Sequence, residues 1–228
     1  FRRVLFRSVR TESALRGTFP MKSETVGAVI MASGLARRFG SNKLLADFGG
    51  EPMLCRVLRA TEGISPRIVV TRSEDVHRLC VSLGVPVLLH TLPLRSDTVR
   101  LGLDALLREM PSLCGCLFAP GDQPLLRRET VDGLCGAFLE TPEKERTIYR
   151  LARKEAGAPA VPGSPVLFGR SYFDALLHLP EGKGGGVVVR RHPESVHLFA
   201  AAHPAETEDA DTPEALERLL NIYFTLGV

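Results

Sequence analysis

The chain has 228 residues, 44% of them apolar and 24% charged, enough for one large α/β domain or two small ones and unlike a disordered tail. Its apolar stretches, such as Leu113–Ala119, fall far below the roughly 20 residues of a membrane-spanning helix. Five scattered cysteines (55, 80, 114, 116, 135) fit a reducing compartment better than a disulfide framework, so cytoplasm is the expected location. The net charge of +3 owes much to residues 1–20, which hold five arginines against Glu12 alone; without them Lys+Arg falls from 29 to 24, Asp+Glu from 26 to 25, and the remainder carries −1. That removes the main support for a nucleic-acid surface.

Residues 1–20 are Arg-rich, poor in acid and lack a continuous apolar h-region. Of a transit-like peptide and a translated stretch upstream of a start at Met21, the second is the favoured expectation, because Leu5–Ser8 is what a common sequencing-adapter end encodes. Residues 1–20 are therefore set apart as a leader outside the fold, and 21–228 are taken as the folded domain.

Val26–Ala32 is short, apolar and rich in β-branched residues, which predicts a buried first strand. Pro52 at a first turn leads a helix over Met53–Leu58, stopped by Gly63. Arg67–Thr71 is a second strand; Ser73 caps a helix through about Leu83, ended by Gly84. Pro86–Leu89 makes a third strand, Ser96 or Asp97 caps the periodic stretch Val99–Leu107, and Leu113–Ala119 makes a fourth strand. Such alternation implies right-handed crossovers and a mostly parallel sheet with helices on both faces. The Pro- and Gly-rich region 141–165 is expected to be loop with one strand near Thr147–Leu151. Val196–Ala200 reads as a late strand, and Thr212-Pro213 opens a last helix.

In an open α/β sheet the ligand sits at the carboxyl ends of the strands. After the first strand comes Ala32-Ser-Gly-Leu-Ala-Arg-Arg-Phe-Gly-Ser-Asn-Lys43, small residues whose amides can line an anion, followed by Arg37, Arg38 and Lys43. The spacing fits neither a Walker A loop nor G-x-G-x-x-G; a plain glycine turn with solvated arginines is the competing reading. After the fourth strand comes Pro120-Gly-Asp-Gln-Pro-Leu-Leu126. Asp122 at that strand end is a candidate Mg²⁺ ligand facing a phosphate loop, with Asp209 or Asp211 as a possible second carboxylate, although a lone Asp is often only a turn residue.

Together, Ala32-Ser-Gly-x-x-x-Arg-Phe-Gly-x-x-Lys43-Leu-Leu, Gly121-Asp-Gln-Pro-Leu-Leu126 and Asp209-Ala-Asp-Thr-Pro-Glu-Ala-Leu216 resemble the nucleotidyltransferases of the MobA/MocA kind, from about Val26 to Leu220. Gly-Asp-Gln-Pro and Asp-x-Asp-Thr-Pro-Glu point to the molybdenum cofactor cytidylyltransferase branch. The resemblance implies a three-layer α/β/α sandwich with a mostly parallel, Rossmann-like sheet, and a reaction that moves CMP from CTP onto a molybdopterin-type phosphate with release of pyrophosphate. It further implies that Ala32, Ser33, Gly34 and Arg38 hold the triphosphate, that Lys43 neutralises charge at the α-phosphorus and on pyrophosphate, and that Asp122 and Asp211 hold Mg²⁺. Ser96–Leu103 resembles a base-contacting segment, which points to Thr98 and Gly102, with a plain helix start as the alternative. A molybdenum hydroxylase apoenzyme is an implied partner; neither nucleic acid nor a membrane is.

Two departures fall on the acceptor side. Gly163-Ser164-Pro165 stands where this branch commonly reads Gly-His-Pro, and Gly182-Lys-Gly-Gly-Gly186 stands where an acidic residue and a closing Arg are usual. These bear on the acceptor, not on nucleotidyl transfer. The family pattern places a helix over Gly185–Arg191, against the strand propensity of its three valines. Rival functions are a cytidylyltransferase for a small sugar- or polyol-phosphate and a non-catalytic nucleotide- or cofactor-binding maturation module. The Cys114-Gly-Cys116 pair reads as core thiols, and the six histidines show no H-x-x-x-H pair.

Overall fold

The computed structural model describes residues 24–34, 42–155 and 157–226. Seven strands form one sheet: β1 (Val26–Ala32), β2 (Arg67–Thr71), β3 (Val87–Leu89), β4 (Gly115–Pro120), β5 (Ile148–Arg153), β6 (Val161–Gly169) and β7 (Val196–Ala200), in the order β3-β2-β1-β4-β6-β5-β7. Only β6 runs against its neighbours, pairing Leu117 with Leu167 on β4 and Tyr149 with Leu167 on β5. The other pairings are parallel, with Val29 opposite Ile68, Ile30 opposite Ala119 and Leu151 opposite Phe199. This is an α/β fold with a mostly parallel sheet.

Alternation along β1 divides the core into two layers. Ala28 and Ile30 point to the face covered by α1 (Met53–Ala60), α2 (Glu74–Ser82), α4 (Arg128–Glu140) and α7 (Pro213–Leu226), through Met53, Val57, Cys80, Leu134, Phe138 and Leu219. Val29 points to the other face, covered by α3 (Arg95–Glu109), α5 (Phe173–Leu177) and α6 (Gly186–Arg191), through Leu103, Leu106, Leu176 and Val188. Fully burying one such Leu or Phe side chain contributes about 1.5–3 kcal/mol, so these layers fix which way each strand end faces. No helix among the described residues is long and apolar enough to cross a membrane.

Local chemistry sets most element ends. Ser73 Oγ accepts from Val76 N at 3.3 Å, and Thr212 Oγ1 accepts from Ala215 N at 3.2 Å. Gly84 closes α2 in the left-handed region, at φ +66°. The expected cap at Ser96 or Asp97 is corrected by two or three residues: α3 starts at Arg95 with Leu94 as its N-cap, and the Asp97 carboxylate accepts from Leu94 N at 3.1 Å. The segment 141–165, expected to hold one strand, holds β5 and the start of β6. Pro162, Gly163 and Pro165 disguise β6, and the pairing register shifts between Arg150 and Ala152 opposite them, where prolines have no N–H to give to a ladder. The helix over Gly186–Arg191 forms despite its valines.

Candidate active site

With β2 on one side of β1 and β4 on the other, strand order reverses between β1 and β4, which is where an open α/β sheet leaves a crevice. A cavity of about 610 Å³ occupies that crevice, lined by Ser33 and Gly34 after β1, by Pro120 and Asp122 after β4, and by Lys43, Asp209 and Asp211. Arg72, Arg95 and Thr98 close it on the β2 and α3 side.

Lys43 sits on a single 3₁₀ turn, Lys43–Leu45, whose cap Asn42 accepts from Leu44 N through its side chain at 3.2 Å. Asn42 also donates to Ser73 Oγ at 2.8 Å, tying the turn to the start of α2. The Lys43 ammonium donates to Asp122 Oδ2 at 2.5 Å and to Asp211 Oδ1 at 2.6 Å. Burial of Lys43 works to lower its pKa, but the Asp122 charge and the two hydrogen bonds outweigh that and raise it above the ordinary lysine value. Sequence reading directed Lys43 at phosphates and the two aspartates at a metal; the structure adds that they form one ion cluster.

The backbone carries the aspartates to this point. Ala210 N donates to Asp122 O at 2.9 Å, joining the β4 end to the segment before α7. Buried Gln123 donates to Asp209 Oδ1 at 2.9 Å and to Thr207 O at 3.2 Å. Burial, followed by the charges of Asp122 and Asp211, pushes the Asp209 carboxyl above its usual value. Asp209 was named only as an alternative from sequence, and Gln123 only as a branch marker within Gly-Asp-Gln-Pro.

Ser33 Oγ donates to Val70 O at 3.1 Å and lies 3.0 Å from His90 Nε2. Since that hydroxyl gives its proton to Val70 O, the ring donates from Nε2, and the buried Nδ1 has no partner among the described residues. Thr71 Oγ1 donates to Ala32 O at 3.0 Å, so the tip of β1 is tethered at two successive residues. Ala32 thus supports the loop and does not line the cavity. His90 was missed because one histidine at the end of β3 carries no spacing signal.

Thr98 is buried and lines the cavity. Gly102, its expected companion, is not among the lining residues: a Cβ there would lie 2.5 Å from Val29 Cγ1, 2.8 Å from its Cγ2 and 3.0 Å from Val70 Cγ2. The physical reason for a glycine at 102 is therefore the close approach of α3 to β1 and β2. Arg38 lies outside the described residues, as do residues 1–20. Cys114 and Cys116 are buried free thiols, pushed to higher pKa by burial, and no cluster of three His, Cys, Asp or Glu side chains suited to a metal occurs among the described residues.

Fold and cluster together describe an α/β domain with a charged cavity at the β1/β4 switch point. The model of the MobA-like NTP transferase domain matches residues 28–196, well over half of the chain, and the chain belongs to that family. Among curated proteins it is similar to a 3-deoxy-manno-octulosonate cytidylyltransferase of Leptothrix cholodnii, 32% identical over 57% of this chain and 48% of that protein. It is also similar to a "Probable molybdenum cofactor guanylyltransferase" of Pyrococcus horikoshii, 27% identical over 49% of this chain and 55% of that protein. The chain thus spans about half the length of these curated relatives. Its fold is that of Rv0371c from Mycobacterium tuberculosis, with TM-score 0.71, 23% identity, and coverage of 86% of this chain and 98% of that one. It is equally that of a CMP:2-keto-3-deoxy-manno-octonic acid synthetase complexed with CTP, with TM-score 0.70, 16% identity, and coverage of 89% and 99%.

Proposed function

We propose that this chain is a nucleotidyltransferase that moves CMP from CTP onto a phosphorylated acceptor of the molybdopterin type, releasing pyrophosphate. The observation that carries the reading is the Lys43 ammonium clasped by Asp122 and Asp211 in the switch-point cavity of a chain of this family. In the proposed reaction an acceptor phosphate oxygen forms a bond to the α-phosphorus in line with the bond to the β-bridging oxygen, which breaks and leaves with pyrophosphate. Such a transfer needs little covalent help, so positioning and charge neutralisation supply most of the rate.

Lys43 spends two N–H groups on carboxylates and keeps a third for a phosphate oxygen. Main-chain N–H groups of Ser33 and Gly34, held by the Ala32 and Ser33 tethers, offer neutral donors beside it. On this reading Thr98, which lines the cavity from α3, contacts the base.

The donor set fits Mg²⁺. That ion takes one or two protein carboxylates and fills its remaining positions with water and phosphate oxygens, and Asp122 and Asp211 supply two. Asp209 lines the same cavity, its carboxyl pushed above the usual value first by burial and then by the charges of Asp122 and Asp211. When bound, Mg²⁺ would neutralise triphosphate charge. On this reading Asp122 and Asp211 hold the metal, and neither acts as a general base.

A second reading, transfer to a sugar acid, is favoured by the similarity to the 3-deoxy-manno-octulosonate cytidylyltransferase. Pyrophosphate release from each of the four NTPs, with molybdopterin or 3-deoxy-manno-octulosonate as acceptor, separates the two. Release from CTP with molybdopterin, and a product heavier by one CMP, is the expected result; release only with the sugar acid would replace the first reading with the second.

A further inference from the structure

The start of the loop after β1 is held from outside the loop. Ser33 Oγ donates to Val70 O on β2 at 3.1 Å and accepts from His90 Nε2 at 3.0 Å, so one hydroxyl is gripped from the ends of two neighbouring strands. His90 follows β3, which stands two places from β1 in the sheet. Its own N–H donates to Thr71 O at 3.0 Å, and the residue is only 9% exposed. A separate route serves Lys43: Thr71 Oγ1 donates to Ala32 O and accepts from Ser73 N at 3.1 Å, and Ser73 Oγ accepts from Asn42 beside the Lys43 turn. Among the described residues, His90 supplies the only side-chain partner of Ser33.

An imidazole is a poor filler for this position. Its Nδ1 is buried with no partner among the described residues, and a buried polar nitrogen left unpaired costs free energy that a leucine there would avoid. What a leucine lacks is the donor at Nε2. A proton on Nδ1 would add a buried donor without an acceptor and a charge near Arg72 and Arg100. Burial and those two charges, opposed by Asp97, hold the pKa of the ring below its usual value. At neutral pH His90 is therefore an uncharged donor in a fixed place.

The Ser33 hydroxyl has spent its only proton on Val70 O. Main-chain N–H groups of Ser33 and Gly34 are thus left as donors to the cavity that both residues line. Misplacing binding groups by about 1 Å can cost on the order of 10²-fold, so a residue that only fixes their place bears on function. His90 does not line the cavity, and any effect it has on a ligand there passes through Ser33.

We propose that His90 is a positioning residue for triphosphate binding, a neutral imidazole at the end of β3 that acts through Ser33 to fix the loop after β1 in its phosphate-receiving form. This role rests on the transfer reading above for its ligand, but it is a matter of binding, whereas transfer is a matter of turnover.

The test is calorimetric titration of the full chain with CTP and Mg²⁺ and, as a base-free probe, with inorganic tripolyphosphate and Mg²⁺. His90→Leu, which loses the donor, is expected to weaken both probes by at least about tenfold, with kcat for pyrophosphate release changed by less than about threefold. His90→Gln, which restores a neutral donor, is expected to recover binding to within about threefold. Ser33→Ala should weaken binding as His90→Leu does, and the double variant no further, because two residues acting through one bond are not additive. Should His90→Leu fail to fold, a second readout uses the unmodified chain labelled with ¹⁵N-histidine. Its His90 resonance, assigned by its loss in His90→Gln, is expected to show a proton on Nε2 and none on Nδ1, and to shift on addition of tripolyphosphate. Probe affinity unmoved by both single variants, losses that add in the double variant, no recovery in His90→Gln, or a proton on Nδ1 would overturn the role, as would an unmodified chain that binds neither probe. Probe binding that depends on His90, with no pyrophosphate released from any NTP, would instead bring down the transfer reading and leave the role of His90 standing.

Discussion

Lys43 carries one positive charge between two carboxylates, and its side chain is 11% exposed against 21% for Asp122 and 62% for Asp211. Charge on the leaving pyrophosphate grows in the transition state, so an ammonium fixed beside it acts more on turnover than on ground-state binding. Lys43→Ala is expected to lower kcat for pyrophosphate release by on the order of 10²-fold while changing nucleotide affinity much less. Equal losses in affinity and kcat/KM with kcat unchanged, from steady-state kinetics alongside nucleotide titration, would reduce Lys43 to a ground-state phosphate holder. The non-catalytic binding module predicts nucleotide binding with no pyrophosphate release at all, since it has no leaving group to neutralise. These three residues were each visible within sequence blocks, but their mutual contact was not, because Lys43 lies 79 positions from Asp122 and 168 from Asp211. No local periodicity reports a pairing over such separations.

Among the elements, α3 shows how packing and chemistry compete for one residue. The base-contacting expectation put Gly102 in the pocket; the close approach to Val29 and Val70 puts it against the sheet instead. Gly102→Val should overpack this contact at a cost of about 1–3 kcal/mol, which in a domain this size lowers Tm by roughly 2–4 °C per kcal/mol. Thermal melts are expected to show that drop, with CTP affinity of the remaining folded protein largely kept; an unchanged Tm with lost CTP binding would restore the base-contact role. Elsewhere, elements with both ends marked were legible, such as α2 between Ser73 and Gly84. Those hidden by their own residues were not: β6 carries two prolines and two glycines, and α4 carries Gly133, where a Cβ would lie 2.9 Å from the Phe199 ring, and Gly136.

The β1 tether at Ser33 and His90 has its own pH signature. Burial, aided by the positive charges of Arg72 and Arg100 and opposed by Asp97, pushes the His90 pKa below its usual value. A histidine whose folded-state pKa is depressed favours the fold while neutral. Its contribution is fully present above the unfolded-state pKa, about 6.5, and is lost as pH falls below that value through the depressed folded-state pKa, because the unfolded chain binds the proton better. Melts from pH 7.5 down to 5.5 should show a steeper loss of Tm for the unmodified chain than for His90→Asn. Parallel slopes would mean that His90 is not a linked group.

At the scale of the whole molecule, one sheet places a cavity of mixed charge at its β1/β4 switch point. The parallel half, β3-β2-β1-β4, was readable from alternating strands and helices. In the other half β5 and β7 were also readable as strands, and β6 was not, because Pro162, Gly163 and Pro165 break the pattern of this one antiparallel strand. Nucleotidyl transfer makes a distinctive demand on the fate of each phosphorus. CTP labelled at the α-phosphorus, supplied with Mg²⁺ and molybdopterin, should pass its label to the acceptor, while label at the γ-phosphorus should leave in pyrophosphate, and both should slow on the order of 10²-fold with Lys43→Ala. Label from the γ-position appearing as inorganic phosphate or on the acceptor, with none transferred from the α-position, would contradict a nucleotidyltransferase.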